Sequence, residues 1–253
     1  MAESIKFFMM RHSRDDSSYI DGKNNTSLTA EGIDIAKNAA KDLSARLGKL
    51  NTMINLRSGP KQRVVQTLEI VAEQLYIDHV PYTITYDDNL IELFQGNMEL
   101  QGLSHYDKVA GLHYAWIAFG QERAKGNFNY RFGQPHPEMI STFIKYPYGE
   151  THNEFLLRIA TAYRTFIKDS IENKSVGVVI SHRGGIREFL NFTYAVNNNI
   201  NFQECHVCDS SQIVFCEIME AQIDSPKIAL DEIGRYIQLL NERICQNESN
   251  RGQ

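Results

Sequence analysis

The chain has 253 residues, 42% of them hydrophobic, which is enough for one large domain or for a core domain with an insertion. Its 31 acidic and 26 basic residues give a net charge of -5, which argues against nucleic acid as the main partner. No apolar run is long enough to span a bilayer, and the N-terminus lacks a basic leader. The four cysteines are too few for a disulfide framework. We therefore expect a cytoplasmic protein that binds no membrane.

The first elements of the chain alternate between strand and helix. Ile5–Met10 reads as an apolar run with the length of a buried strand. A helix is predicted to follow, with Thr29 as its N-cap. Its predicted apolar face comprises Ile33, Ala36, Ala40, Leu43 and Leu47. Residues 52–58 read as a second strand, residues 59–77 as a second helix, and the alternating residues 82–88 as a third strand.

The stretch from about residue 93 to 148 differs in character from the rest. It is rich in glycine, histidine and aromatic residues and has only weak periodicity, so we interpret it as an inserted cap. Regular patterns then resume. They predict a helix over 153–172, a strand ending at Ser181–His182, a helix over 185–196, a strand over 211–219 and a helix over 228–244. Residues 246–253 are polar and are predicted to form a disordered tail.

This alternation predicts a three-layer α/β/α sandwich with a mostly parallel central sheet. We expect a single domain over residues 1–245 with the cap as an insertion. In such sheets, ligands bind beyond the carboxyl ends of the strands. Polar side chains follow each of four predicted strands at that place: Arg11 and His12, then Ser58 and Arg63, then Glu92, then Ser181 and His182.

These side chains suit phosphoryl transfer. The guanidinium groups of Arg11 and Arg63 can each donate two parallel hydrogen bonds to a phosphate. A neutral imidazole such as that of His12 can attack phosphorus, and a second, protonated histidine can stabilise charge on the phosphoryl oxygens. Glu92 is placed to give a proton to the leaving oxygen. None of these roles requires a metal or a cofactor.

Six segments, in order from Ile5 to about Ile218, resemble motifs of the histidine phosphatase superfamily in its phosphoglycerate-mutase-like branch. They are MMRHS, DGKNNTSLTAEGIDIA, RSGPKQRVVQT, LIELFQGNMELQG, PYGETHNEFLLR and VVISHRGGIREFL. The resemblance implies a phosphoglycerate-mutase-like fold and a metal-independent reaction. It also implies His12 as the nucleophile that forms a phosphohistidine, a phosphate pocket completed by Arg11, Arg63 and His182, and Glu92 as proton donor.

The chain departs from the family pattern at two places. The mutases of the family have an arginine after the catalytic glutamate, and here Leu93 follows Glu92, which favours a phosphatase. The loop after His12 is shorter than usual, and Ser18 stands near the position of a phosphate-contacting asparagine. We also consider four residues for substrate specificity: Arg14, Arg123, Arg131 and Tyr130. The alternatives are an exposed loop arginine at Arg14 and a small cap core for the aromatic residues.

The sequence therefore predicts a metal-independent, histidine acid phosphatase-like hydrolase of phosphomonoesters. Its expected partner is a small phosphorylated molecule, with a phosphoprotein as the alternative. Two other functions stay open: a phosphoglycerate-type phosphomutase with the same nucleophile, and a catalytically idle phosphate-binding or scaffold protein. A homodimer, with the last helix as its interface, is a further alternative.

Overall fold

In the computed structural model, residues 4–15, 26–93, 105–132, 134, 149–202, 205 and 213–251 are described. Their strands are β1 (Ile5–Arg11), β2 (Ile54–Ser58), β3 (Tyr82–Tyr86), β4 (Val176–Ser181) and β5 (Ile218–Ile223). Their α-helices are α1 (Ala30–Leu47), α2 (Gln62–Ile77), α3 (His105–Ala124), α4 (His152–Asn173), α5 (Arg183–Asn198) and α6 (Pro226–Arg251). Within these described ranges, no helix combines the length and the apolar character needed to cross a membrane.

The five strands form one sheet in the order β3-β2-β4-β1-β5. Neighbours are parallel except for the edge strand β5, which runs antiparallel to β1. The register places Arg11 beside Ser181 and Ser58 beside Ile180. The strands β1, β2 and β4 therefore end at the same edge of the sheet, as the sequence predicts.

Helices cover both faces of this sheet. Successive strand residues point to opposite faces, so Phe8 and Met10 pack into the apolar cluster with α1 and α2. On the opposite face, the ring of Phe7 meets that of Phe166 from α4, with centroids 5.1 Å apart. This arrangement confirms the predicted α/β/α class with a mostly parallel central sheet.

The start of α1 is fixed by a local cap and by a close backbone contact. The hydroxyl of Thr29 accepts a hydrogen bond from Gly32 N at 3.0 Å, which confirms the predicted N-cap. A Cβ at Gly32 would lie 1.9 Å from the Arg14 carbonyl oxygen, so only glycine lets the loop after His12 pack this closely. Ile33 was predicted to face the core, but it is exposed.

Two element boundaries near the C-terminus differ from the prediction. The last strand begins at Ile218 rather than at 211, because Cys216, with a φ of 54°, has a left-handed backbone that interrupts the extended conformation before β5. The helix α6 continues to Arg251, across part of the predicted tail. No glycine or proline lies between Gly234 and Gly252, so the sequence contains no strong helix breaker there.

The chain divides into two compact units. One comprises residues 1–16, 25–92 and 158–238 and contains the sheet; the other comprises residues 17–24, 93–157 and 239–253. The second unit contains α3, a helix that the sequence did not predict. The second unit also contains a cluster of aromatic side chains. In this cluster the rings of Trp116 and Phe132 lie 4.9 Å apart, and the ring of His152 stacks on that of Phe128 at 5.5 Å.

Candidate active site

The ends of β1 and β4 bring two histidines together. His12 directly follows β1, and its N–H donates to the Ser181 carbonyl at 3.0 Å. His182 follows β4 and is the N-cap of α5. As a result the two imidazole rings lie 5.0 Å apart, edge to face, and both side chains are buried.

Arg63, in the first turn of α2, contacts both histidines. Its Nε is 3.3 Å from His12 Nε2 and its Nη2 is 3.3 Å from His182 Nδ1. Glu92 completes the group, since its Oε2 lies 2.9 Å from His182 Nδ1 and 3.7 Å from Arg63 Nη2. The structure thus assembles four of the five predicted catalytic residues in one contact network.

The tautomer of His12 follows from its contacts. Its Nδ1 lies 2.7 Å from the Ser13 carbonyl oxygen and must carry a proton to donate to it. This leaves a lone pair on Nε2, which accepts a hydrogen bond from Arg63 Nε. Burial, reinforced by the positive charges of His182 and Arg63, lowers the pKa of His12 from 6.5 to about 3. A neutral ring with a fixed orientation is the form that can act as a nucleophile.

In the family motif that the segment MMRHS resembles, glycine is the commonest residue at the position of Ser13. Its hydroxyl donates to the Gly32 carbonyl at 2.6 Å, and its N–H donates to Thr67 Oγ1 at 3.1 Å. The hydroxyl and the N–H of this buried residue are therefore both bonded, and they tie the loop after His12 to α1 and α2.

Arg11, the fifth predicted residue, is held by the loop that precedes β5. Its Nη1 donates to the Ile213 carbonyl at 3.3 Å, and its guanidinium carbon lies 3.8 Å from the centroid of the Phe215 ring. The same ring is 5.8 Å from the ring of His12. The sequence pattern does not reveal this role of Phe215, because it predicts a strand over 211–219 and gives no sign of a contact with Arg11.

Glu92 is ionised in this site. Burial raises its pKa, but the opposing effect of His182, followed by those of His12 and Arg63, brings the pKa to about 2. Its side chain is 25% exposed, whereas that of His182 is fully buried. Glu92 is therefore the partner in this pair that can exchange a proton with solvent or substrate.

Asp15 is a further member of the site that the sequence analysis did not single out. Its Oδ2 lies 3.6 Å from Arg63 Nε and accepts a hydrogen bond from the Thr26 hydroxyl at 2.5 Å. The carboxylate is 4% exposed. Arg63 therefore lies between two carboxylates, those of Asp15 and Glu92. The signal in the sequence was the acidic pair that follows the Arg11–Ser13 motif.

The remaining predicted site residues have other surroundings. Ser18 lies outside the described residues. Arg14 is exposed, and its Nη1 donates to both carboxylate oxygens of Glu31, at 2.8 Å to Oε1 and 2.7 Å to Oε2. This ion pair agrees with the alternative of an exposed loop arginine. The specificity candidates from the cap are Arg123, Arg131 and Tyr130.

These cap candidates are placed as follows. Arg123 lies in the last turn of α3. Arg131 donates to Glu154 Oε2 at 3.0 Å and to the Gly149 carbonyl at 3.2 Å. Tyr130 is buried, and its hydroxyl donates to the Gln134 carbonyl. Tyr130 therefore contributes to the interior of the second unit, and no substrate contact follows from these bonds.

One residue set in the site has the geometry of a metal site. Ligand atoms of His12, Glu92 and His182 lie within 4.8 Å of one another. Two imidazoles and a carboxylate suit a transition-metal ion. Arg63, however, contacts all three of these groups and adds a positive charge at their centre, which favours an anion there over a cation.

Comparison with known proteins gives a match over most of the chain. The model of the histidine phosphatase superfamily (branch 1) matches residues 7–215. No curated protein sequence matches the chain significantly.

Solved structures with similar folds include phosphatases and a mutase. A mycobacterial glucosyl-3-phosphoglycerate phosphatase aligns with a TM-score of 0.58 at 16% identity, over 87% of this chain and 91% of that one. Its complex with VO3 aligns with a TM-score of 0.57 at 17% identity, over 85% and 90% of the two chains. Phosphoglycerate mutase from Bacillus anthracis str. Sterne aligns with a TM-score of 0.53 at 14% identity, over 92% and 98%. The fold is therefore phosphoglycerate-mutase-like.

Proposed function

Because the chain belongs to the histidine phosphatase superfamily, we propose that it hydrolyses phosphomonoesters through a phosphohistidine on His12. The observation that carries this proposal is the state of the His12 ring. Its Nδ1 is engaged by the Ser13 carbonyl, and its Nε2 faces Arg63 with a lone pair. An arginine at the nucleophilic atom marks the place where an anionic phosphoryl group would bind.

In the first step, His12 Nε2 attacks phosphorus and the bond from phosphorus to the ester oxygen breaks. Arg11, Arg63 and His182 would hold the equatorial oxygens, whose negative charge is shared among them in the transition state. The leaving oxygen takes a proton from Glu92 and departs as an alcohol. The products of this step are the alcohol and a phosphohistidine.

Glu92 needs a proton before it can serve as an acid. It is ionised at neutral pH because His182, His12 and Arg63 lower its pKa. A phosphate dianion bound beside Arg63 and His182 would offset the positive charge near Glu92 and so raise the pKa of the carboxyl. Binding of substrate and uptake of one proton by Glu92 are therefore coupled. In the second step, Glu92 accepts a proton from the water that attacks phosphorus, the bond between phosphorus and His12 Nε2 breaks with its electron pair returning to the nitrogen, and inorganic phosphate leaves.

Leu93, the residue after Glu92, favours hydrolysis of a phosphomonoester over the mutase reaction on a phosphoglycerate. Leu93 is buried and offers no charge to a second acidic group of a substrate. We propose a small phosphorylated molecule as the substrate, with a phosphoprotein as the alternative, and a cytoplasmic enzyme that uses neither metal nor cofactor. The name of the mycobacterial phosphatase indicates a phosphorylated sugar acid for that protein, which makes such esters the first compounds to screen.

Rapid-quench labelling tests the proposal. The protein is mixed with a monoester that carries a labelled phosphoryl group and is quenched in base, which preserves phosphohistidine. We expect label on wild type and none on His12→Ala. His79→Asn is a matched control, because His79 is exposed and asparagine tolerates its φ of 56°. Trapping and normal turnover by His12→Ala would exclude the phosphohistidine mechanism.

A further inference from the structure

Glu92 lies on a segment with little regular structure of its own. Residues 87–92, here called the acid segment, contain a single turn of 3₁₀ helix at Asp88–Leu90 and are otherwise extended. A short irregular segment does not fix the direction of a side chain by its own hydrogen bonds. The position of the Glu92 carboxylate therefore depends on contacts with the rest of the sheet-containing unit.

The beginning of the acid segment is anchored by a buried arginine. Asp87 accepts a hydrogen bond from Asn89 N at 3.0 Å, which closes the turn. The same carboxylate pairs with Arg57 Nη1 at 2.9 Å, and Arg57 also pairs with Asp169 of α4. Arg57 is almost fully buried in β2, so its two carboxylate partners are needed to satisfy its charge.

The middle of the acid segment is fixed from the strand ends. The Leu90 carbonyl accepts a hydrogen bond from Ser181 Oγ at 3.1 Å. A Cβ at Gly59 would lie 2.6 Å from the same carbonyl oxygen, so the backbone after β2 approaches this closely only because residue 59 is glycine. These contacts hold the Leu90 carbonyl but do not reach Glu92.

Arg158 of α4 holds the end of the segment, including the backbone of Glu92. Its Nη1 donates to the carbonyls of Asn89 at 2.8 Å and Ile91 at 3.0 Å. Its Nη2 donates to the carbonyl of Glu92 at 3.3 Å. Three hydrogen bonds from one planar guanidinium define the path of these residues, and a charged donor makes each of them stronger than a neutral one.

We propose that Arg158 is a positioning residue for the catalytic acid, and that its bonds to the backbone keep the Glu92 carboxylate beside His182. This inference rests on the proposed hydrolase function. Arg158 acts through Glu92 and does not touch the phosphoryl group. Its loss should therefore impair the protonation of the leaving oxygen while the phosphate pocket of Arg11, Arg63 and His182 stays intact.

A pair of substrates that differ in the basicity of the leaving group tests this. Phenolate is a basic leaving group and depends strongly on protonation by an acid. The far less basic p-nitrophenolate can leave without a proton. For Arg158→Met we expect kcat/KM to fall about 100-fold with phenyl phosphate and about tenfold or less with p-nitrophenyl phosphate, since a positioned acid contributes on the order of 10²–10⁴. The inhibition constant of inorganic phosphate should change by less than about threefold.

Two further variants complete the experiment. Arg164→Met removes an exposed arginine of the same helix and should change neither substrate's kcat/KM. Arg158→Lys keeps the charge without the planar fork and should show a smaller loss with the same preference for phenyl phosphate. If Arg158→Met does not fold, which a thermal melt would show, Arg158→Lys decides the question by itself.

Equal losses with the two substrates, or no loss with either, in an active protein would overturn the positioning role alone. A wild-type protein that hydrolyses no phosphomonoester would overturn the proposed function and this inference with it.

Discussion

His12 is uncharged in the folded protein, and this has a cost at low pH. Burial together with the charges of His182 and Arg63 lowers its pKa to about 3. In the unfolded chain the same residue titrates near the ordinary value of 6.5. Between these two values the unfolded state binds more protons, so the free energy of unfolding decreases as the pH falls below about 6.5.

The resulting prediction concerns stability. Between the two pKa values, each unit by which the pH falls lowers the free energy of unfolding by about 1.36 kcal/mol for one such group. From about pH 7.5 to pH 5, His12 should therefore lower the free energy of unfolding by about 2 kcal/mol. Urea denaturation at a series of pH values measures this. In His12→Asn the loss over this range should be smaller by that amount, whereas His79→Asn should behave as wild type. Parallel curves for all three proteins would contradict the assignment.

Glu92 gives a prediction about activity. Free Glu92 is ionised, with a pKa of about 2, so the proton that the leaving group needs must come with the substrate or be taken up on binding. The dianion of a phosphomonoester takes up one proton near about pH 6. For an alkyl phosphate, kcat/KM should therefore rise as the pH falls from about 8 to 6, reach a plateau and decrease only near the low pKa of His12. A profile that falls between about pH 7 and pH 5 would contradict this order of titration.

The sequence was sufficient to select the residues of the strand ends. His12, Arg63 and His182 follow predicted strands, and the parallel sheet brings such positions to one edge. Asp15 and Phe215 could not be selected in the same way. Their contacts with Arg63 and Arg11 depend on the path of loops, and no local pattern encodes that path.

Packing between β4 and α4 depends on Gly177 in β4. A Cβ at Gly177 would lie 2.0 Å from the ring of Phe166, which is buried and packed against Phe7. The ring cannot withdraw into an interior of normal density. The glycine therefore sets the distance at which the helix lies over the sheet.

Two glycine substitutions should have opposite effects on stability. Gly177→Ala should lower the free energy of unfolding by about 3 kcal/mol, because the added methyl group overpacks the interface with Phe166. Gly120→Ala, in α3, meets no atom within 4 Å and should raise stability by up to about 1 kcal/mol through helix propensity. Thermal or urea unfolding of both variants checks this, and a stable Gly177→Ala protein would show that α4 can shift.

The predictability of the elements follows their periodicity. The strands β1 and β4 are predominantly apolar, and α1 has a capping threonine, so each could be recognised locally. The helix α3 carries aromatic and glycine residues around its circumference and lacks a distinct apolar face. The last strand was placed too early because the left-handed backbone at Cys216 has no signature in a cysteine.

The whole molecule is acidic, with a net charge of -5, whereas the proposed phosphate pocket contains Arg11 and Arg63. Anion binding there should stabilise the entire fold, because the unfolded chain has no such site. Inorganic phosphate at about 100 times its Kd should add about 2.7 kcal/mol, which for a chain of this size corresponds to a rise in Tm of about 5–10 °C.

Scanning calorimetry with and without phosphate measures this shift. Vanadate should act at lower concentrations because it can adopt the trigonal-bipyramidal geometry of the transition state. Arg63→Met is the comparison variant, and its Tm should be nearly independent of both anions. A Tm of the wild type that does not respond to either anion would count against an anion site among these residues.

The order of the strands also determines when the residues of the candidate site can meet during synthesis of the chain. The strand β4 lies between β1 and β2 and pairs with both. A growing chain that has not yet reached residue 176 lacks the strand that joins its first two, and His182 has not been made. Until residues 176–182 have been synthesised, the growing chain therefore has an incomplete sheet and His12 lacks its neighbour His182, so the contacts of the candidate site cannot form earlier.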